Sequence, residues 1–388
     1  MKYLTVILAV LCLCSSCSLD RYKAKSGFEQ AYFDSLQVQI DNPLTPKGVE
    51  YRYVEASQLN LIGKLLSTSN PYHRVDTMAY PVKDKGVNNL VRTPGGLAVL
   101  FKTNSSTISV QTEWGEVYDN PATMAMAYRG YDMYIKEGKE WIWAASGAVH
   151  SDRLEENKVL ISNMERKEHI CLMYLPILSE IISCRIGVEK DAYIEPVENP
   201  FRHRVVFHGS SFTHGVSTSR AGLSYPMQFM RRTGIQVLPL GVSGKCTMQP
   251  YFAEVFRDVD ADAFVFDSFS NPMPRTMRRN FRPFLDTLIA AHPGKPIIFQ
   301  RSIYRERRNY NTQVEAIEKA RHDMAQTLMA EIADDPKYKD VYFIDTNASV
   351  PSHETTVDGV HPNDYGYYLW FRSIEKPLLR ILSRYGIR

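Results

Sequence analysis

Five residues in the second half of this 388-residue chain have the types that acyl transfer requires: Ser211, Gly244, Asn271, Asp358 and His361. Acyl transfer needs a nucleophile, a base to take its proton, a group that orients the base, and donors for the oxyanion that develops on the attacked carbonyl. Ser211 lies in Phe207-His208-Gly209-Ser210-Ser211-Phe212-Thr213-His214-Gly215, where small residues follow a hydrophobic run and the glycines permit a tight, open turn. A Gly-Ser-Ser tripeptide alone is more often a polar loop. The downstream residues change that balance. His361 stands in the turn-rich Val357-Asp358-Gly359-Val360-His361-Pro362. Asp358 can reach round the glycine to hold one imidazole nitrogen, which leaves the other for Ser211. Gly244, in Gly241-Val242-Ser243-Gly244, can offer its amide to a carbonyl without a side chain in the way, and Asn271 carries two side-chain donor hydrogens. With the Ser211 amide these make an oxyanion hole from Ser211, Gly244 and Asn271.

The elements that must position these residues alternate in type. After Pro200, compact apolar strands are expected at 205–207, 235–240, 263–269, 296–300 and 341–344, with helices at 224–232, 250–258, 274–291, 314–333 and 365–385 between and after them. Such alternation predicts a parallel sheet covered by helices on both faces. Every candidate residue then falls after a strand, at the carboxyl end where open α/β sheets bind ligands. Residues 22–200 read differently. Short strands at 96–102, 107–114, 124–135, 140–145, 170–175 and 181–188 are separated by turns, with one helical stretch at 57–68, and predict a β-sandwich. The expected boundary is near Asn199-Pro200, giving domains at 22–200 and 201–388.

Composition narrows the class. A net charge of +3 without a stripe of Lys and Arg interleaved with aromatics excludes nucleic acid as the expected partner. Met1-Lys2-Tyr3 followed by an apolar run from Leu4 to Leu13 reads as an export signal over 1–17, too short to span a bilayer in the mature chain. Small residues before Cys17 resemble a bacterial lipobox, with Cys17 as the acylated residue, although Cys14 occupies the place where Leu is usual. Secretion with cleavage nearby is the alternative. Either way the expected location is periplasmic or cell-surface, with contact to a membrane only through that anchor. Processing at Cys17 would leave Cys171, Cys184 and Cys246, too few for a disulfide framework. Cys171 and Cys184 lie in neighbouring apolar runs that can form a hairpin, where either one bridge or two free thiols fits. No Cys or His cluster has zinc-ligand spacing, so neither a metal nor another cofactor is expected.

The blocks Gly-Ser-Ser-Phe-Thr, Gly-Val-Ser-Gly, Asp-Ser-Phe-Ser-Asn and Asp-Gly-Val-His-Pro, in that order, resemble those of the SGNH (GDSL-like) hydrolase superfamily. Gly130-Tyr131-Asp132-Met133-Tyr134 is similar to the Gly-x-Asp-Leu-Tyr signature of a bacterial branch that carries an N-terminal β-domain, with Met for Leu. The resemblance implies a flavodoxin-like three-layer α/β/α domain, Ser211 rather than Ser210 as nucleophile, Asp358 and His361 completing a catalytic triad, and Gly244 and Asn271 as oxyanion donors. Two departures stand out: Ser210 where the superfamily's name has Asp, and Lys245 where the branch often has Asn.

The combined expectation is an exported, metal-independent serine esterase acting on a glycan ester such as an O-acetyl group. A lipid or lysophospholipid esterase is the alternative within hydrolases, against which stands the lack of a long apolar lid segment. A glycan-binding protein with a vestigial triad is the alternative outside them, against which stand the intact Ser211, Asp358 and His361. Other residues invite roles and are read more simply. His208 and His214 flank the serine with no carboxylate beside them in sequence, Arg220 and Arg301 are expected in salt bridges, Lys245 in solvent, and the aromatics from Tyr365 to Trp370 mostly in the core. Trp141 and Trp143 share a strand face that suits either sugar stacking or sandwich packing.

Overall fold

The fold is described from a computed structural model, covering residues 48–118, 120–346 and 352–388. The expected export segment and Cys17 lie outside these residues. The first half forms strands β1 (Tyr51–Glu55), β2 (Asn60–Ile62), β3 (Ala98–Thr103), β4 (Ile108–Trp114), β5 (Gly130–Glu137), β6 (Glu140–Ala148), β7 (Lys158–Ile161), β8 (His169–Tyr174), β9 (Ile181–Glu189) and β10 (Ile194–Pro196). Helices α1 (Lys85–Arg92) and α2 (Ala125–Tyr128) interrupt them. Two antiparallel sheets result, in the orders β1-β9-β4-β7 and β10-β3-β8-β5-β6, with β2 added to β3. Alternation along the strands explains their stacking. Val99, Phe101, Cys171 and Met173 from one sheet meet Ile108, Val110, Cys184 and Ile186 from the other. Cys171 and Cys184 therefore sit on different sheets rather than in one hairpin, and both are free, buried thiols.

In the second half β11 (Arg202–Gly209), β12 (Ile235–Gly241), β13 (Ala263–Asp267), β14 (Ile297–Gln300) and β15 (Val341–Ile344) form a parallel sheet in the order β12-β11-β13-β14-β15. Helices α3 (Ser211–His214), α4 (Tyr225–Thr233), α5 (Pro250–Arg257), α6 (Pro274–Ala291), α7 (Thr312–Ala330) and α8 (Asp364–Ser383) connect or follow them. Every residue of β12 and β13 is buried, as befits strands covered on both faces. Phe252 and Phe256 of α5 and Phe281, Phe284 and Leu285 of α6 cover Leu238, Phe264 and Phe266. Phe229 of α4 and Trp370, Ile374 and Leu378 of α8 cover Phe207, Val237 and Ile298. Helix starts are specified locally: Pro250 and Pro274 lie at first helical positions, and the Asn311 and Asn363 side chains accept the amides that begin α7 and α8. This is the flavodoxin-like three-layer arrangement, and the order places the switch point between β11 and β13.

That second core does not stop at Pro200. Leu100, Leu172, Tyr174 and Tyr134, on the outer face of the larger antiparallel sheet, pack into the same cluster as Phe201, Phe207 and Trp370. Burial of each large apolar side chain there contributes roughly 1.5–3 kcal/mol to holding the two halves together. Tyr51–Arg388 accordingly form a single compact unit.

Strands β1, β7 and β10 stand where none is named from sequence, and three further local readings differ. The helix expected at 57–68 is replaced by a short 3-10 turn and β2, because pairing of Asn60, Leu61 and Ile62 with β3 overrides local propensity. Helix α1 carries no strong local signal, with one Gly and two Asn, yet the Asp84 side chain caps it and Val87 and Val91 are buried beneath it. The strand expected over 124–135 begins as α2 and becomes strand only at Gly130. A Cβ at Gly130 would lie 2.3 Å from the Met126 carbonyl oxygen, which is the physical reason for the glycine that opens the signature.

Candidate functional site

Strand β11 ends at Gly209, and the chain turns directly into the single-turn helix α3, with Ser211 as its first residue. The Ser210 side chain caps the helix by accepting the Phe212 amide at 3.2 Å, and Gly215 closes it at φ +92°. Close approach governs this corner. A Cβ on Gly241, at the end of neighbouring β12, would meet the His214 amide nitrogen at 2.1 Å, so glycine there lets the second strand end run under the helix.

The loop before α8 brings His361 over this turn, although 150 residues separate it from Ser211. His361 Nε2 lies 3.0 Å from Ser211 Oγ, and His361 Nδ1 lies 2.8 Å from an Asp358 carboxylate oxygen. The other Asp358 oxygen accepts the backbone amides of Val360 at 2.9 Å and His361 at 2.7 Å. Partial burial alone would raise the Asp358 pKa, but these bonds from His361 and Val360 hold it below the usual carboxylate range. Asp358 is thus kept as an anion facing Nδ1, which fixes the tautomer with Nε2 free to receive a proton from Ser211. The loop is anchored by Glu306, which accepts from the Thr355 amide at 3.1 Å and from the Thr356 hydroxyl at 3.1 Å, and by the Arg307 amide, which donates to Gly359 at 2.8 Å.

The donor candidates sit on the strand ends that flank Ser211, because β11 lies between β12 and β13. The Asn271 side-chain oxygen accepts the Cys246 amide at 3.2 Å, which turns its NH2 group outward as donor. Gly244 is at φ +68° with open space where a Cβ would stand. Among the described residues no protein acceptor takes the amides of Ser211 and Gly244 or the Asn271 NH2 group. Three donors without partners, at adjacent strand ends, can stabilise negative charge on a bound oxygen.

The remaining candidates resolve into supporting parts. His208 and His214 are fully buried under the turn. Burial pushes the His208 pKa down to about 3, and burial followed by the nearby Arg74 charge pushes that of His214 well below its usual value, so both are neutral. Arg301 pairs with Asp345 at 3.2 Å, and Lys245 with Asp84 at 3.0 Å. Tyr367 and Trp370 are buried, while Tyr365 and Tyr368 are half exposed. Trp141 stacks on Phe201 with ring centres 5.9 Å apart, and the Trp143 indole N–H donates to Asp132 at 3.1 Å.

Two contributions from the first half are not apparent in sequence. Asp132 of the Gly130–Tyr134 signature is completely buried and accepts from Arg220 at 2.8 Å and from the Gly222 amide at 2.9 Å, in the loop that follows α3. Arg74, also completely buried, donates to the Gly241 carbonyl at 2.9 Å and to His214 Nε2 at 3.2 Å from below the site. Only the signature could have pointed to Asp132. Nothing local marks Arg74.

Residues 202–379 match the GDSL-like lipase/acylhydrolase family, and residues 51–194 match the GxDLY family, described as the N-terminus of SGNH hydro-type esterases. No curated protein matches the chain. Among solved structures, a Bacteroides ovatus protein provisionally named a GDSL-like lipase is 35% identical, with 86% of this chain and 98% of that one covered at a TM-score of 0.83. The salicylyl-acyltransferase SsfX3 of a tetracycline biosynthetic pathway shares the fold at 16% identity and TM-score 0.65, over 87% of this chain and 99% of that one. A family two carbohydrate esterase from Cellvibrio japonicus shares it at 11% identity and TM-score 0.56, over 86% and 98%. Across both halves, then, this chain belongs to the GDSL-like (SGNH) lipase/acylhydrolase family, in the group that carries the GxDLY N-terminus.

Proposed function

We propose that this protein is an exported serine esterase that removes O-acetyl or other short acyl groups from a glycan. Ser211 is the nucleophile, His361 the general base and then general acid, and Asp358 the group that orients His361. The observation that carries the reading is the 3.0 Å separation between His361 Nε2 and Ser211 Oγ, with Asp358 on the far nitrogen at 2.8 Å. As Oγ attacks the ester carbonyl its proton passes to Nε2, and the carbonyl oxygen becomes an anion held by the amides of Ser211 and Gly244 and the side chain of Asn271. Collapse of the tetrahedral species expels the glycan alcohol, which takes the proton from His361 and leaves an acyl-serine. Water, deprotonated by the same imidazole, then releases the acid and regenerates Ser211.

The glycan part of the reading is supported by the company the fold keeps. Family two carbohydrate esterases share it, and one from Clostridium thermocellum was solved in complex with cellohexaose, at 11% identity and TM-score 0.53. Export rests on the N-terminal apolar run and Cys17. The test is a parallel assay of wild type and Ser211→Ala on acetylated polysaccharides and on aryl esters of short and long chain. Acetate release from polysaccharide and a preference for short chains, both lost in Ser211→Ala, are expected. Unchanged turnover in Ser211→Ala removes the serine mechanism, and a preference for long chains moves the substrate to lipids.

A further inference from the structure

The mechanism leaves one buried acid beside the nucleophile unused. Asp267 ends β13, opposite Gly209 in the parallel ladder, and its side chain is completely buried. One carboxylate oxygen accepts the Ser210 hydroxyl at 2.6 Å, the Ser210 amide at 3.2 Å and the Thr213 hydroxyl at 3.4 Å. The other accepts the Ser270 hydroxyl, whose oxygen also lies 2.9 Å from Ser302 Oγ. Ser210 immediately precedes Ser211, and Ser270 immediately precedes Asn271. We propose that Asp267 is a positioning residue that fixes Ser211 relative to Asn271, by holding the neighbour of each on its two oxygens. The inference rests on the esterase reading above.

Amide bookkeeping at the turn supports it. Asp267 takes the Ser210 amide, and the Ser210 hydroxyl, itself donating to Asp267, takes the Phe212 amide. The Ser211 amide between them is the one left for an oxyanion. Without the carboxylate, Ser210 can swing its hydroxyl and amide to other acceptors, and the free donor need not remain on Ser211. The Asn271 side of the link is stiffened from behind. Arg305 donates to the Ser270 carbonyl at 2.6 Å, Arg321 to the Pro272 carbonyl at 3.1 Å, and Glu318 holds both arginines at 2.6 Å. That buried ion cluster fastens the loop to α7, whereas Asp267 spans from the loop to the nucleophile turn. A carboxylate is suited to the place because it accepts on both oxygens, while an amide of the same shape accepts on one. Ser210 also fills the position where Asp would put a second carboxylate against this one.

The test uses the full chain with Asp267→Asn, Ser210→Ala and Ser270→Ala. Three quantities are measured: kcat and KM on a short aryl ester, the rate of Ser211 labelling by a fluorophosphonate, and unfolding by denaturant. Displacement of fluoride by Oγ seats the phosphoryl oxygen among the same donors, so labelling reports their alignment without turnover. Misplacement of reacting groups by about 1 Å costs on the order of a hundredfold. Asp267→Asn is therefore expected to lower kcat and the labelling rate about tenfold to a hundredfold with KM within about twofold, and the serine variants to lower both by less. A folded Asp267→Asn that keeps wild-type kcat and labelling overturns the proposal, as does a loss confined to KM or one that only tracks the folded fraction. Should Asp267→Asn not fold, the serine variants decide, and wild-type rates in both overturn it. A wild type inert to phosphonate and to every ester would sink the esterase reading and this inference together, whereas a reactive wild type matched by Asp267→Asn sinks this inference alone.

Discussion

The Arg220 guanidinium and the Asp132 carboxylate, 2.8 Å apart, join the loop behind the candidate nucleophile to a strand of the antiparallel half, with Asp132 shielded completely from water. The same carboxylate takes the Gly222 amide and the Trp143 indole N–H, and the guanidinium lies 5.1 Å from the Trp143 ring centre. Asp132→Ala takes the acceptor from the buried Gly222 amide and from Arg220, whose side chain is only partly buried and can turn to water, a cost of about 1–3 kcal/mol. Asp132→Ala is expected to destabilise the whole unit by that order in denaturant unfolding, in a single transition because the halves share a core. Independent melting of two units in the variant would contradict the coupling.

Removal of Asp358 tests the orienting role. Asp358→Asn keeps the shape but not the charge facing His361 Nδ1, and in enzymes built this way the change lowers kcat by about 10⁴. The same loss should not add to that of Ser211→Ala in the double variant, because the groups act as a unit. Additive losses in steady-state assays would separate them.

Asn271→Ala removes one of the three proposed oxyanion donors while leaving Ser211 and His361 in reach of each other. A fall in kcat of about 10²–10³ with KM little changed is expected on short aryl esters. A KM effect without a kcat effect would make Asn271 a ground-state contact instead.

Stability should carry an acid-side signature of Asp267. Burial, only partly offset by the Ser210 and Ser270 hydrogen bonds, pushes its pKa up to about 6 from 3.8. Between those values the native state holds the extra proton, so this group's contribution to stability falls as pH rises through about 6. His208 and His214 act the other way. Held neutral by burial, they lose stability for the fold as pH drops below the unfolded histidine value and the unfolded chain takes up protons. The whole-protein curve mixes these signs, so the comparison to make is wild type against Asp267→Asn. The variant's cost in unfolding free energy should be greater at pH 5 than at pH 7.5, by on the order of 1 kcal/mol. A cost that is equal at the two pH values would show that Asp267 is not held with a raised pKa.

At Gly241 the prediction is steric. Ala there would bring its Cβ to 2.1 Å from the His214 backbone nitrogen, a contact no rotamer relieves. Loss of Ser211 labelling together with a marked fall in melting temperature is expected, and a fully active, stable Gly241→Ala would mean that α3 can lift away from β12.

The sequence by itself determined the parts whose signals are local. Continuous apolar runs such as 205–207 and 263–266 leave no polar face for water, so they read as covered parallel strands, and Pro and Asn at helix starts mark the elements between them. The candidate Ser, Gly and Asn were legible for the same reason, each standing in a turn shortly after an apolar run, and the candidate Asp and His were legible from the turn-rich block just before the last helix. Strand order was not a local property. It took the tertiary structure to put β11 between β12 and β13, and with that to set the Gly244 and Asn271 loops on either side of Ser211. Long-range packing likewise decided that Asn60–Ile62 pair as strand in place of the helix expected over 57–68, that Cys171 and Cys184 lie in different sheets, and that Arg74, Asp132 and Asp267 are buried around the site. These three are buried polar groups, and what each does depends on which donors and acceptors the fold brings to it in place of water. Those partners are as many as 167 residues away in the chain, beyond the reach of any motif.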